Sequence, residues 1–368
     1  MSAFDAEERA ALVDQVQRLL RDRSAEADVR RTMETPSGYD PQVWRQLADM
    51  GLLGLIVDQN HGGSGGGPVE LELVMEAIGA ALLCSPFLSS AVLATALLSA
   101  SGDEAAKKRL LPPMVAGTTV ATVAITGEGG LWTAEGVGVT ATQAGDRWTL
   151  DGVASYVTHG QIADVVLVVA AVGDGIGVFE VEAKAAGLQI APLPTFDLTL
   201  RLAKLTFASV AAHRIGNVGW EAVKAALDVT LVALAGEQAG GARRSLDMTV
   251  EYGKNRIQFG RPIAGFQALK HMAADMLLEA ESATSAARNA ARRLADASSD
   301  ADAAISLAAF ACADAFTAVT AASIQMHGGI AFTWDYPAHL YFRRARADAQ
   351  LFGNPAFHRE RYLTHLGG

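Results

Sequence analysis

Tyr252-Gly-Lys-Asn-Arg-Ile-Gln-Phe-Gly-Arg-Pro-Ile-Ala-Gly-Phe-Gln267 is the stretch on which the reading of this chain turns. Gly260 and Pro262 supply turn chemistry, and a proline suits the approach to a helix because its missing N–H is not needed there. Arg256, placed just before that turn, carries a planar fork of donors suited to charge-assisted hydrogen bonds with phosphate oxygens. A second stretch follows in the same half of the chain, Gln325-Met-His-Gly-Gly-Ile-Ala-Phe-Thr333. Its paired glycines, Gly328 and Gly329, remove two side chains where a helix would end, so that backbone amides can approach a flat ring or a phosphate. They also suit an ordinary helix C-cap, and the two roles are compatible. His327, inside this motif, reads as a packing or hydrogen-bonding residue.

Around these motifs the chain from Trp220 onward is Ala-rich with helical spacing, in segments 221–252, 265–296, 301–326 and 338–351. Residues 1 to about 117 are helical in spacing as well. Leu12, Val16, Leu19 and Leu20 recur on one face, Val43, Leu47, Met50, Leu52 and Leu53 on another, and Leu71, Val74, Met75 and Ile78 on a third. The glycine-rich loop from Gln59 to Pro68 lacks the Gly-Lys-Ser/Thr of a P-loop and follows no strand–helix–strand unit, so it reads as a capping or mobile loop. Between the helical regions lie short runs rich in Val, Ile and Thr: Thr119–Thr126, Trp148–Leu150, Val165–Val172, Gly177–Val181 and Leu205–Val210. Turn residues separate them, including Gly145-Asp146, which predicts an antiparallel sheet or small barrel. The expected organisation is an N-terminal helical domain over 1–117, a central antiparallel β domain over 118–219 and a C-terminal four-helix bundle over 220–368.

Composition bounds the function. The 368 residues are 50% apolar and 19% charged, which is ordinary for a soluble globular chain with a substantial core. A formal charge of -10 argues against nucleic acid as a partner, since phosphate backbones require clustered Lys and Arg. Cys84 and Cys312 are too far apart for a metal motif or a disulfide framework, which suits a reducing compartment. His339, His358 and His365 lack metal-ligand spacing. The N-terminal Met-Ser-Ala-Phe-Asp-Ala-Glu-Glu-Arg is neither a secretory signal nor a transit peptide. The most apolar run, Ile78 to Leu98, is broken by Ser85-Pro86 and Ser89-Ser90, which favours a buried helix pair over a membrane span. The expectation is a cytoplasmic protein.

The two quoted motifs, with the order helices, β domain, helices, resemble the acyl-CoA dehydrogenase family over essentially the whole chain. The resemblance implies an α+β fold of that family and an FAD cofactor. It places Arg256, Gln258, Phe259 and Gln267 on the pyrophosphate and adenosine of a neighbouring subunit's FAD, and Gln325, Gly328 and Gly329 on its adenine side. In the β domain, Ala124-Ile-Thr-Gly-Glu-Gly-Gly130 is similar to the first flavin-facing strand, with Thr126 at the hydroxyl position, though it departs from the family pattern from Gly127 onward. Ala154-Ser-Tyr-Val-Thr-His-Gly160 is similar to the second, with Tyr156 in place of a tryptophan and Thr158 in place of the threonine.

The family's catalytic glutamate is missing. Removing the α-proton of an acyl-CoA needs a carboxylate, whose pKa burial can raise to suit the task. One family position falls on Phe352 or Gly353; the alternative falls on Thr230, with Leu231 where an arginine is usual. Asp348 and Glu237 are the nearest substitutes, and both read as surface or interface charges rather than bases, so no catalytic residue is assigned. The pattern is similar to the glutamate-lacking subunit of bacterial, steroid-type α2β2 acyl-CoA dehydrogenases. It implies an acyl-CoA substrate, a related sister subunit and an electron-transfer flavoprotein as acceptor. A self-sufficient homotetramer with an unusual base, and a flavin monooxygenase-like relative, are the alternatives.

Overall fold

The computed structural model describes residues 4–367; the first three residues of the N-terminal stretch read above, and residue 368, lie outside it. In chain order the helices are α1 (Ala6–Arg23), α2 (Glu26–Met33), α3 (Pro41–Asp49), α4 (Pro68–Ala80), α5 (Thr95–Ala100) and α6 (Glu104–Val115), then α7 (Trp220–Asn255), α8 (Gln267–Ala295), α9 (Ala301–His327), α10 (Ala338–Asp348) and α11 (Pro355–His365). The strands are β1 (Ala121–Ala124), β2 (Val139–Ala144), β3 (Arg147–Thr158), β4 (Val165–Val172), β5 (Gly175–Glu182), β6 (Leu188–Leu193) and β7 (Leu202–Arg214), with a separate short pair, β8 (Ile257–Gln258) and β9 (Arg261–Pro262). This is the α+β architecture expected, helical at both ends with a β domain between. The described residues form two compact units. One holds the chain up to Arg31, Pro68–Leu83 and the chain from Leu231; the other holds Thr32–Gly67 and Cys84–Thr230.

The helical unit is built on small residues. α1 starts with a capping box in which the Asp5 side chain accepts from Glu8 N at 2.9 Å and Glu8 accepts from Asp5 N at 2.8 Å. α4 crosses α7 almost backbone to backbone. A Cβ built on Gly240 would lie 1.9 Å from Glu76 O, and one on Gly79 would lie 1.9 Å from Glu237 O. Gly236 and Gly240, four apart, share one face of α7 and admit this approach. α8 and α9 pack through Ala283, Ala287, Ala308 and Cys312, all nearly or fully buried. Residues 301–332 are long and apolar enough to cross a membrane, but this stretch is mostly α9, a core helix packed against α8, α10 and α11. Four C-terminal helices match the expected segments, and α11 is an addition that sequence spacing did not announce.

One buried group in this unit has a pH consequence. Glu72 of α4 is 1% exposed, and its Oε1 has no hydrogen-bond partner among the described residues. Burial pushes its carboxyl up to about 8, the neighbouring Glu76 adds to the rise, and Arg288 and Arg292 oppose it. A folded pKa above the unfolded one contributes stability that is complete below the unfolded value and is lost as pH rises through the folded value. The parent should therefore weaken relative to Glu72→Gln between about pH 5 and pH 8. Urea midpoints of the two proteins across that window check this; a constant difference would contradict it.

In the other unit the strands run β1-β4-β2-β3-β7-β5, with β5 also pairing β4, so that the ladder closes on itself. β6 pairs antiparallel with the first half of β7, Leu188 opposite Phe207. Most pairings are antiparallel as expected, but β1 runs parallel to β4, Ala121 opposite Val165. β2 and β3 form the predicted hairpin around Gly145-Asp146. The interior holds Leu150, Val166, Val168, Phe179, Leu205 and Phe207, all at most 3% exposed. The expected helix pair over Ile78–Leu98 takes a different form: a π-helical stretch, Phe87–Ala94, runs directly into α5. A hydroxyl ties it to the start of β1, since Ser90 Oγ accepts from Ala121 N at 3.0 Å.

Candidate functional site

The motif of residues 252–267 folds as the end of α7, a two-residue hairpin and the start of α8. Gln258 pairs with Arg261 across the hairpin, and Phe259 and Gly260 at its tip both have positive φ, 52° and 77°. That is the pattern of a type I′ turn, in which a phenylalanine is unusual and strained. Phe259 is nonetheless 92% exposed, and its ring meets Phe266 edge-on at 6.1 Å. Arg261 stacks over Phe266 with its guanidinium 4.1 Å from the ring centre. Arg256, Gln258 and Gln267 are all exposed, and Arg256 makes no ion pair among the described residues. α8 begins at Gln267 without a side-chain cap, leaving its first amides open.

The second motif sits beside the first. Tyr252 of α7 lies 4.3 Å, centre to centre, from the His327 ring and 5.7 Å from Tyr336. His327 is buried, and its Nδ1 lies 2.7 Å from Ser323 O, so it packs and hydrogen-bonds as its sequence position suggested. Burial holds its pKa below the usual histidine value. Gln325, Gly328 and Gly329 are exposed, and a Cβ on either glycine would meet nothing within 4 Å. Phe332 and Trp334 project beyond them, 76% and 52% exposed. The helical unit thus presents a guanidinium with no ion pair among the described residues, open glycine backbone and exposed aromatic rings on one neighbourhood of its surface. This donor set fits an anionic, aromatic-bearing ligand such as a dinucleotide.

The β-domain candidates are placed differently. Tyr156 sits on a bulge between Ala154 and Val157 with φ of 58°, which turns its 40%-exposed ring over Gly130. Thr126 is fully buried and its hydroxyl donates to Leu131 O at 2.8 Å. Thr158 is 2% exposed.

The base positions hold no acid. Thr230 is buried and its hydroxyl donates back to Ala226 O at 2.7 Å, and Leu231 is buried. Phe352, 3% exposed, fills the other position with φ of 58°, and Gly353 follows with φ of 114°. A Cβ on Gly353 would lie 2.4 Å from the Phe357 ring and 2.9 Å from His358 Nε2. Burial, with Arg361 assisting, pushes His358 down to about 4, so it is neutral. A cavity of about 10 Å³, room for one water, lies between Gln238, Asp348, Gly353 and His358.

Here a sequence expectation fails. Glu237 and Asp348 are not surface charges: they are 2% and 1% exposed. Both bind Arg344, itself 6% exposed; Arg344 Nη2 pairs with Glu237 Oε1, and Nε lies 3.0 Å from Asp348 Oδ1. Arg344 and Asp348 are one helical turn apart on α10, and the guanidinium bridges from there to α7. Periodicity puts Arg344 and Asp348 on one face of α10 but cannot show that this face meets Glu237 of α7. Among the described residues no cluster of His, Cys, Asp or Glu could hold a metal.

Fold and surface together define an acyl-CoA dehydrogenase, and the comparisons agree. The profile of the acyl-CoA dehydrogenase C-terminal domain matches residues 217–366 and that of the N-terminal domain matches residues 6–118. The chain belongs to the acyl-CoA dehydrogenase family, flavin enzymes that oxidise CH–CH bonds. Acyl-CoA dehydrogenase IpdE2 of Mycolicibacterium smegmatis is 33% identical over 351 residues, covering 95% of this chain and 96% of that protein. The solved Tcur3481-Tcur3483 steroid ACAD is 30% identical with a TM-score of 0.89 over 98% of both chains. The ChsE4-ChsE5 complex from Mycobacterium tuberculosis is 28% identical with a TM-score of 0.91, over 100% of this chain and 99% of that one.

Proposed function

We propose that this chain is the base-lacking subunit of a two-chain, α2β2 acyl-CoA dehydrogenase that desaturates CoA esters of steroid-derived acids in the cytoplasm. The observation that carries the reading is a contrast within the helical unit. Phe352 is buried where the family keeps its carboxylate, while Arg256, Phe259, Gln325 and the two glycines face outward. The similarity to the Tcur3481-Tcur3483 steroid ACAD supports the steroid part, and the similarity to the ChsE4-ChsE5 complex supports the two-chain part.

In this reading Arg256 binds the pyrophosphate of FAD held mainly by the sister chain, with Gln258, Phe259 and Gln267 around the adenosine. Gln325, Gly328 and Gly329 shape the adenine side. Thr126, Tyr156 and Thr158 mark the remains of a flavin-facing wall. FAD supplies the hydride acceptor, and an electron-transfer flavoprotein then takes the electrons. Proton removal falls to a carboxylate of the sister chain. Thr126 supports this division, because its hydroxyl is already committed to Leu131 O.

The test is expression alone and together with an adjacently encoded sister chain. The complex should be yellow and active, and the single chain inactive; an active, yellow homotetramer from this chain alone would overturn the proposal. Within the complex, Arg256→Ala removes a charge-assisted contact worth about 1.5–3 kcal/mol and should weaken flavin retention on gel filtration by tenfold or more. Gly329→Val should do likewise while leaving the melting temperature unchanged, since its side chain enters open space. Parent-like flavin content in both variants would show that this surface does not hold the nucleotide.

A further inference from the structure

A hollow of about 740 Å³ opens in the helical unit between α1, the start of α2, the end of α4, the middle of α7 and the start of α10. It shares no lining residue with the hairpin and the glycine motif above, and its size falls in the range of small-molecule sites, roughly 300–1,000 Å³. Its floor is apolar: Leu20, Val29, Met248 and Leu340 line it, each at most 7% exposed. Its rim carries Arg21 and Arg244 together with Glu26 and Asp247.

The rim charges cancel only in part. Glu26 is taken by Arg30, whose Nη2 lies 2.6 Å from Oε1; Asp247 lies 3.3 Å from Arg243 Nε, but Arg243 also binds Glu281 at 2.6 Å, so Asp247 is only partly offset. Among the described residues neither Arg21 nor Arg244 makes an ion pair, so both guanidinium groups face the hollow without a direct counter-ion. Arg244 is also held in place. It hydrogen-bonds to the phenol of the buried Tyr341, whose hydroxyl in turn donates to Ala80 O at 2.7 Å. A neutral phenol orients the guanidinium without neutralising it. Burial pushes that phenol up to about 12, so it stays neutral at any physiological pH. An apolar floor beneath two guanidinium groups that have no ion-pair partner among the described residues matches a ligand with an apolar body and one anionic end.

We infer that this hollow binds an amphipathic anion, a carboxylate on a hydrocarbon body, seated on Leu20, Val29 and Met248 with its charge between Arg21 and Arg244.

Dodecanoate titrated calorimetrically into the full chain serves as the probe, with dodecanol and dodecyltrimethylammonium as neutral and cationic comparators. The expected result is one dodecanoate site, with both comparators at least tenfold weaker. The double variant Arg21→Gln/Arg244→Gln should weaken dodecanoate at least tenfold and leave dodecanol unchanged. Ala25→Trp, at an exposed position lining the hollow, should weaken dodecanoate by filling the space without touching either charge. No saturable binding, equal binding of dodecanol, or binding indifferent to both variants would each overturn the assignment.

Discussion

Replacing Arg344 with alanine should destabilise the protein by about 3–5 kcal/mol, the usual consequence of leaving buried carboxylates without their cation. Glu237 and Asp348 both face this guanidinium, and all three groups are nearly excluded from water. The cost arises from desolvation: two carboxylates would then have to be protonated or exposed, which forces α7 and α10 apart. Guanidinium denaturation of the full chain measures the loss, and a change below about 1 kcal/mol would mean that water or relaxation already screens the network. The same network explains why neither acid should serve as a base. In the assembled complex, Glu237→Gln and Asp348→Asn should lower turnover per bound flavin less than tenfold, about 1.4 kcal/mol of barrier. Loss of a general base would cost about a hundredfold or more. A fall of that size with flavin content intact would make this chain catalytic.

Reinstating an acid at the vacant position should also fail. Phe352→Glu removes a core side chain, which costs about 3–5 kcal/mol when a phenylalanine is truncated, and puts a carboxylate where the site is 3% exposed. The Phe352 side chain is buried there on a backbone with φ of 58°. The variant should therefore melt earlier and show no dehydrogenation of acyl-CoA substrates with an artificial acceptor. A folded, flavin-bearing Phe352→Glu protein that turned over without a sister chain would show that the base had been lost from an otherwise complete site. Gly353→Glu should be worse, because its first side-chain carbon already meets the Phe357 ring at 2.4 Å.

Much of the fold is readable along the chain because it is local. Val165–Val172 coincides with β4 to the residue, and the α7, α8 and α9 segments fall within a few residues of their observed ends. Periodicity records which face a residue uses, and turn residues mark where elements stop. Strands β6 and β8, by contrast, carry little local signal. Leu188–Leu193 holds a proline and forms an edge beside β7, and the β8–β9 pair is two residues long. Their existence depends on a partner elsewhere in the chain. The parallel pairing of β1 with β4 is likewise a fact of topology.

The candidate site divides in the same way. Sequence alone determined the family resemblance, the outward motif around Arg256 and Gln325, and the absence of an acid at Phe352, Gly353 and Thr230, because each is a matter of which residue stands in a contiguous pattern. Only the tertiary structure decided what surrounds those positions. It buries Glu237 and Asp348 against Arg344, more than a hundred residues from Glu237, and it sets Gly236 and Gly240 against the backbone of α4. Among the described residues it also leaves Arg21 and Arg244 without an ion pair above an apolar hollow. Charge pairing, burial and the pKa values that follow from them depend on distances of a few ångströms between residues remote in sequence, and those distances are set when the helices pack.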